Sequence, residues 1–179
     1  LTDDLREHAL VMAPNGPFPM PHRTESGYRV TFSWYFYEPG ADEYYIDMKP
    51  AIAFIQEGIR AHGAWDLPKR LIGFSQGGFL APILAAELPQ VQQMIGLGCE
   101  YLVDEIPGKL PRSVPYRVDA IHGSADDSVD PVKARSSHQR LLDSGVEGSF
   151  EMLEGGTHRV DDRVRQAVHA LFKTHARLV

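Results

Sequence analysis

Short apolar runs alternate along the chain with stretches of helical periodicity. "HALVMAP" (8–14) is an apolar run closed by Pro14 and predicts a buried strand, followed by "NGPFPMP" (15–21) as a turn-rich loop. "YRVTFSWYF" (28–36) alternates Tyr28, Val30, Phe32, Trp34 and Phe36 against smaller or polar neighbours, which predicts extended chain. "KPAIAFIQEGIRAHG" (49–63) predicts a helix: Pro50 suits its first turn, Ile52, Ile55 and Ile59 share a face, and Gly63 stops it. "KRLIGF" (69–74) predicts a strand and 75–88 a helix, with Leu80, Leu84 and Leu88 at spacing four. Pro82 falls inside that helix and is expected to kink or break it. Strands are predicted at 91–99, 116–123 and 149–153, and helices at 131–145 and 161–175. Such alternation implies βαβ units: an α/β fold with a doubly wound, mostly parallel sheet and helices on both faces.

Composition narrows the picture. A chain of 179 residues that is 43% apolar can bury one sizeable core, so a single domain over 1–179 is expected. The formal charge of −6, without a basic cluster interleaved with aromatics, argues against a nucleic-acid partner. Cys99 is the single cysteine, so no internal disulfide forms; this fits a reducing compartment, and a cytoplasmic location is the expectation. No apolar run reaches the roughly 18 residues of a transmembrane segment. The oligomeric state stays open, a homodimer included.

The chemistry begins at Gly73-Phe74-Ser75-Gln76-Gly77, a G-x-S-x-G pattern between a predicted strand and a predicted helix. A nucleophile projecting from so tight a turn holds a strained backbone, and neighbours without Cβ atoms relieve the crowding. The helix that follows aims N–H groups at the site, and the N–H of Gln76 is the expected oxyanion donor. The competing reading makes Ser75 an ordinary helix N-cap. A phosphate loop is excluded, because GFSQGG carries no lysine.

A serine hydroxyl needs a base. Of the eight histidines, His158 alone stands after a late strand and before the last helix, in "FEMLEGGTHRVDD". His138, His169 and His175 fall inside predicted helices and read as solvated surface residues, and His122 ends a strand and reads as structural. The acid that orients the base should come from "VDAIHGSADDSVDP", where Asp126, Asp127 and Asp130 crowd one loop and pattern alone does not separate them.

"APNGPFP", "GFSQGG", "HGSADDSVDP" and "EGGTH", in this order, resemble the phospholipase/carboxylesterase family of α/β-hydrolases, which includes acyl-protein thioesterases. Small serine hydrolases of the fungal type share "GFSQG" and are a second match. The resemblance implies an α/β-hydrolase fold and a cofactor-free, metal-free serine esterase. It selects Asp126, four residues after His122 in an H-G-x-x-D-x-x-V segment, with Val129 in the later position, and His158 in the Gly-x-His loop. It also places the first strand and a His-Gly loop, the source of the second oxyanion N–H, upstream of Leu1. Both are therefore expected to be missing from this chain. Loss of one such donor costs on the order of 10²–10³ in rate.

Only "EYLVDEIPGKLPRSV" separates the strand ending near Cys99 from the one starting near Tyr116, too little for a cap domain. The expected substrate is a small-molecule ester or thioester, in an open site walled by Phe18, Trp34, Phe74 and Leu102. Glu100 and Asp104 at its rim would discourage anionic substrates. Two other readings compete. One is a hydrolase-fold protein that binds a ligand or partner without catalysis, and the other is a metal-dependent hydrolase using "DDSVD", His158 and "VDD" (160–162).

Overall fold

The computed structural model describes residues 5–6, 9–102 and 116–174. These fall into two compact units, one of Met12–Asp66 and the other holding the rest.

The larger unit is built on a parallel sheet in the order β5-β6-β7-β8, with β5 Lys69–Phe74, β6 Val91–Leu97, β7 Arg117–Gly123 and β8 Gly148–Leu153. Parallel neighbours need crossovers: α2 Gln76–Glu87 lies between β5 and β6 and α3 Pro131–Asp143 between β7 and β8, while α4 Asp162–Thr174 follows the last strand. Alternation along each strand then decides what each helix covers. Ile95, Leu97 and Ile121 pack with Val164, Ala167 and Val168 of α4. The opposite face of β7 and β8 carries His122 and Phe150, and His138 of α3 lies on it with its ring 5.6 Å from that of Phe150. Helices on both faces are thus observed. Each apolar side chain fully buried in this way contributes about 1.5–3 kcal/mol.

Helix α2 is apolar all round, and Leu80, Ala81, Pro82, Ile83, Leu84 and Ala85 are all buried. The expected break at Pro82 is absent, since the helix runs on to Glu87. Burial on every side outweighs the one backbone hydrogen bond that proline cannot make.

The smaller unit, Met12–Asp66, pairs β1 Phe18–Thr24 with β2 Gly27–Ser33 and β3 Phe36–Glu38 with β4 Glu43–Ile46, both antiparallel, and carries α1 Lys49–Ala61. Residues 18–21 therefore form a strand where a loop is predicted. Pro19 and Pro21 stand opposite Phe32 and Val30, at one parity of the ladder, so Met20 and His22 can carry the hydrogen bonds. The extended stretch 28–36 is interrupted after Ser33, whose hydroxyl donates to the Tyr35 carbonyl at 2.6 Å. The strand predicted at 8–14 is not formed by residues 9–14, and residue 8 lies outside the described residues. Leu10 is 70% exposed. An apolar run becomes a strand only where a neighbour takes its hydrogen bonds.

Candidate active site

All four parallel strands end at one edge of the sheet, and the candidate residues follow those ends: Ser75 after β5, Asp126 after β7 and His158 after β8. Ser75 has φ 50° and ψ −122°, a left-handed conformation that a residue with a side chain adopts only under constraint. The constraint is visible on both sides. Its N–H donates to the Leu97 carbonyl at 2.9 Å, and its own carbonyl accepts from Gly78 and Phe79. A Cβ on Gly73 would lie 2.3 Å from the Gly77 carbonyl oxygen, so glycine is required there. The Ser75 side chain makes no capping hydrogen bond, which removes the N-cap reading.

The hydroxyl of Ser75 instead meets His158. Oγ lies 3.0 Å from Nε2, and Nδ1 of the same ring lies 2.8 Å from Oδ2 of Asp126. An ionised carboxylate only accepts, so Nδ1 carries the proton and donates. Nε2 then accepts from the Ser75 hydroxyl. The other carboxylate oxygen of Asp126, Oδ1, accepts from the amides of Ser128 and Val129, both at 2.9 Å. Burial alone would raise the Asp126 pKa. The hydrogen bond from His158 and the two loop amides outweigh it and hold the carboxyl below its usual range.

The neighbouring carboxylates are engaged elsewhere. Asp130 caps α3, accepting from the amides of Val132 and Lys133, and Asp127 is exposed beside the Ser128 hydroxyl. Asp161 accepts from the Val164 amide and pairs with Arg163. Among the described residues no three His, Cys, Asp or Glu side chains converge as metal ligands.

The loops bearing Asp126 and His158 are stitched together. Ala125 donates to the Gly156 carbonyl at 2.8 Å, Ser124 to the Leu153 carbonyl at 3.0 Å, and Gly155 to the Ser124 hydroxyl at 2.8 Å. Gly98, with φ 53°, lies beneath the site: a Cβ there would be 3.3 Å from Nδ1 of His158 and 3.4 Å from Oδ2 of Asp126. Neither the stitching nor Gly98 is anticipated from the sequence. The glycine in "LGC" at a strand end is the signal that was available.

Phe74 is among the expected pocket residues, and its ring lies 4.8 Å from the imidazole of His158. Gln76 opens α2 directly after Ser75, Leu102 is half-buried, and Glu100 is half-buried too. Phe18 packs on Phe36 at 5.7 Å and Trp34 is half-buried, both in the Met12–Asp66 unit. Asp104 and His175 lie outside the described residues. His138, expected on the surface, is only 1% exposed, and its Nε2 donates to the Val118 carbonyl at 2.9 Å. Its position turns it toward the sheet, where a polar ring is tolerated because that carbonyl accepts from it. Burial, and secondarily the charge of Glu100, pushes the Cys99 thiol up to about 12, so it is no rival nucleophile at neutral pH.

The fold compares well with solved structures. Zea mays acyl-protein thioesterase 2 aligns with TM-score 0.68 at 17% identity, over 88% of this chain and 79% of that one. Esterase PE8 aligns with TM-score 0.65 at 19% identity, over 90% and 76%. Arabidopsis thaliana SOBER1 gives 0.62 at 19%, over 90% and 81%. At such identities the likeness is one of fold, and the fold is that of the α/β-hydrolases. No curated protein matches the chain significantly. The sequence itself matches the family described as serine hydrolase (FSH1) over residues 1–156, a stretch containing Ser75 and Asp126. Of the two resemblances drawn from the motifs, this match falls on the small serine hydrolases. It spans most of the chain, and the protein is therefore a member of the serine hydrolase (FSH1) family.

Proposed function

We propose that the enzyme cleaves carboxylic esters or thioesters through an acyl-enzyme on Ser75. The observation that carries this reading is the unbroken path from Ser75 Oγ through His158 to Asp126, with the serine held at positive φ and its side chain spared from capping. His158 Nε2 takes the hydroxyl proton as Oγ bonds to the substrate carbonyl carbon and the carbonyl electron pair moves onto oxygen. The N–H of Gln76 supports that oxyanion. Collapse breaks the bond to the leaving alcohol or thiol, which takes the proton back from Nε2. Water then attacks the acyl carbon, giving a proton to Nε2, and release of the acid returns it to Ser75. Asp126 holds the ring in one tautomer and stabilises the imidazolium formed in each half.

Phe74 and Leu102 are the proposed walls for the acyl group, in a single hydrolase domain without a separate cap. Ester and thioester substrates accord with the names of the esterase and thioesterase neighbours. No helix among the described residues is long and apolar enough to cross a membrane. A lone buried cysteine suits a cytoplasmic enzyme.

Rapid mixing with a chromogenic acyl ester, and in parallel with an acyl thioester, tests the reading. The expected result is a burst of leaving group equal to the enzyme present, then steady turnover indifferent to a chelator. Ser75→Ala is expected to abolish the burst and lower kcat on the order of 10³-fold or more. Turnover in Ser75→Ala within about tenfold of wild type would overturn it.

A further inference from the structure

We infer that His122, a buried histidine outside the Ser75–His158–Asp126 path, is a positioning residue that sets Asp126 for its work on His158. The inference rests on the mechanism proposed above and deepens it. His122 ends β7, is 2% exposed, and turns its imidazole to the face opposite Ile121. Its Nε2 lies 3.1 Å from the Val129 carbonyl oxygen and 3.3 Å from Oδ2 of Asp126. Both are acceptors, so Nε2 must carry a proton, and the hydrogen bond goes to Val129. Phe150 lies nearly parallel to the ring, with centroids 6.5 Å apart at 14°, and walls it on one side.

The consequence follows from the turn that His122 grips. Val129 is held at both ends of its peptide: its N–H donates to Oδ1 of Asp126, and its carbonyl accepts from His122. His122 therefore fixes the backbone that supplies an amide to one carboxylate oxygen. Its own N–H dipole stands beside the other oxygen, the one to which His158 donates at 2.8 Å. Released from His122, the Asp126–Val129 turn could relax, and the carboxylate would lose its fixed angle to the imidazole. A misplacement of a fraction of an ångström at that joint lowers the rate without touching the substrate's binding surface.

Two conservative variants separate this role from simple packing. His122→Gln extends an amide N–H about as far as Nε2, whereas His122→Asn places it one methylene short. Each is compared with wild type for kcat and KM on one chromogenic ester. Each is also examined for the low-field proton resonance of the His158–Asp126 hydrogen bond. The expected result is that His122→Asn loses at least about tenfold in kcat, the scale of one hydrogen bond near a charge, with KM within about twofold. Its low-field resonance should broaden or shift. His122→Gln should recover most of kcat and the wild-type resonance. Equal kcat values in both variants, or an unchanged resonance in His122→Asn, would overturn the inference. A wild-type enzyme with neither a burst nor a low-field resonance would instead sink the mechanism on which it rests.

Discussion

Gly123 and Gly156 approach each other so closely that a Cβ on Gly123 would lie 2.2 Å from the Gly156 carbonyl oxygen. One glycine ends β7 before the Asp126 loop, and the other ends the turn that leads to His158, so this contact sets the spacing of the two loops. Gly123→Ala is expected to push the two loops apart. It should destabilise the protein by about 1–3 kcal/mol, as overpacking does, and lower kcat together with stability. Urea unfolding and steady-state kinetics on one preparation would check both.

Gly98 is constrained differently. It needs φ 53°, and the nearest atoms to a Cβ there are Nδ1 of His158 and Cε2 of Phe74, each at 3.3 Å. Gly98→Ala should cost about 1–3 kcal/mol through the backbone alone. It should also lower kcat by more than that stability loss explains, because the methyl presses on the imidazole. Thermal unfolding compared with kcat at a temperature where the variant is fully folded would separate the two effects.

In the proposed mechanism Asp126 orients His158 without reacting itself. Asp126→Asn leaves the shape intact but can present an amide N–H where the carboxylate accepted, favouring the wrong imidazole tautomer. The expected loss in kcat is on the order of 10³–10⁴, with KM nearly unchanged. A loss below tenfold, measured on a chromogenic ester, would remove Asp126 from the mechanism.

The buried His138 gives stability a pH dependence near neutrality. Burial, with Arg117 nearby, lowers its pKa from the ordinary 6.5, outweighing the Val118 carbonyl and Asp119, which act the other way. The unfolded chain therefore binds the proton first as pH falls, so stability is lost from about pH 6.5 downward through the lowered folded value. His138→Gln, which keeps a donor for the Val118 carbonyl but does not titrate, should flatten that part of a stability–pH curve measured by urea unfolding.

What the sequence revealed follows a physical line. Ser75 was legible because its strained strand-to-helix turn demands a glycine at 73, where a Cβ would meet the Gly77 carbonyl, and so leaves a mark in the sequence. His158 was legible by order alone. Asp126 was not separable from Asp127 and Asp130 by pattern, since what distinguishes it is two loop amides and an imidazole brought in by folding. For the same reason His138 was misjudged: its helix shows a polar residue, but only the sheet beneath reveals which way it faces. The strand at Phe18–Thr24 was hidden by its prolines, which forbid only the central, fully bonded positions of a sheet.

The proposed mechanism stands or falls on Ser75 being an activated nucleophile. Its most direct test is intact-mass analysis after exposure to a fluorophosphonate, with Ser75→Ala alongside and peptide mapping of the adduct. One adduct per chain is expected, mapped to Ser75 and absent from the variant, with Cys99 unmodified. A folded wild-type chain that takes no adduct, or one modified equally in Ser75→Ala, would contradict it.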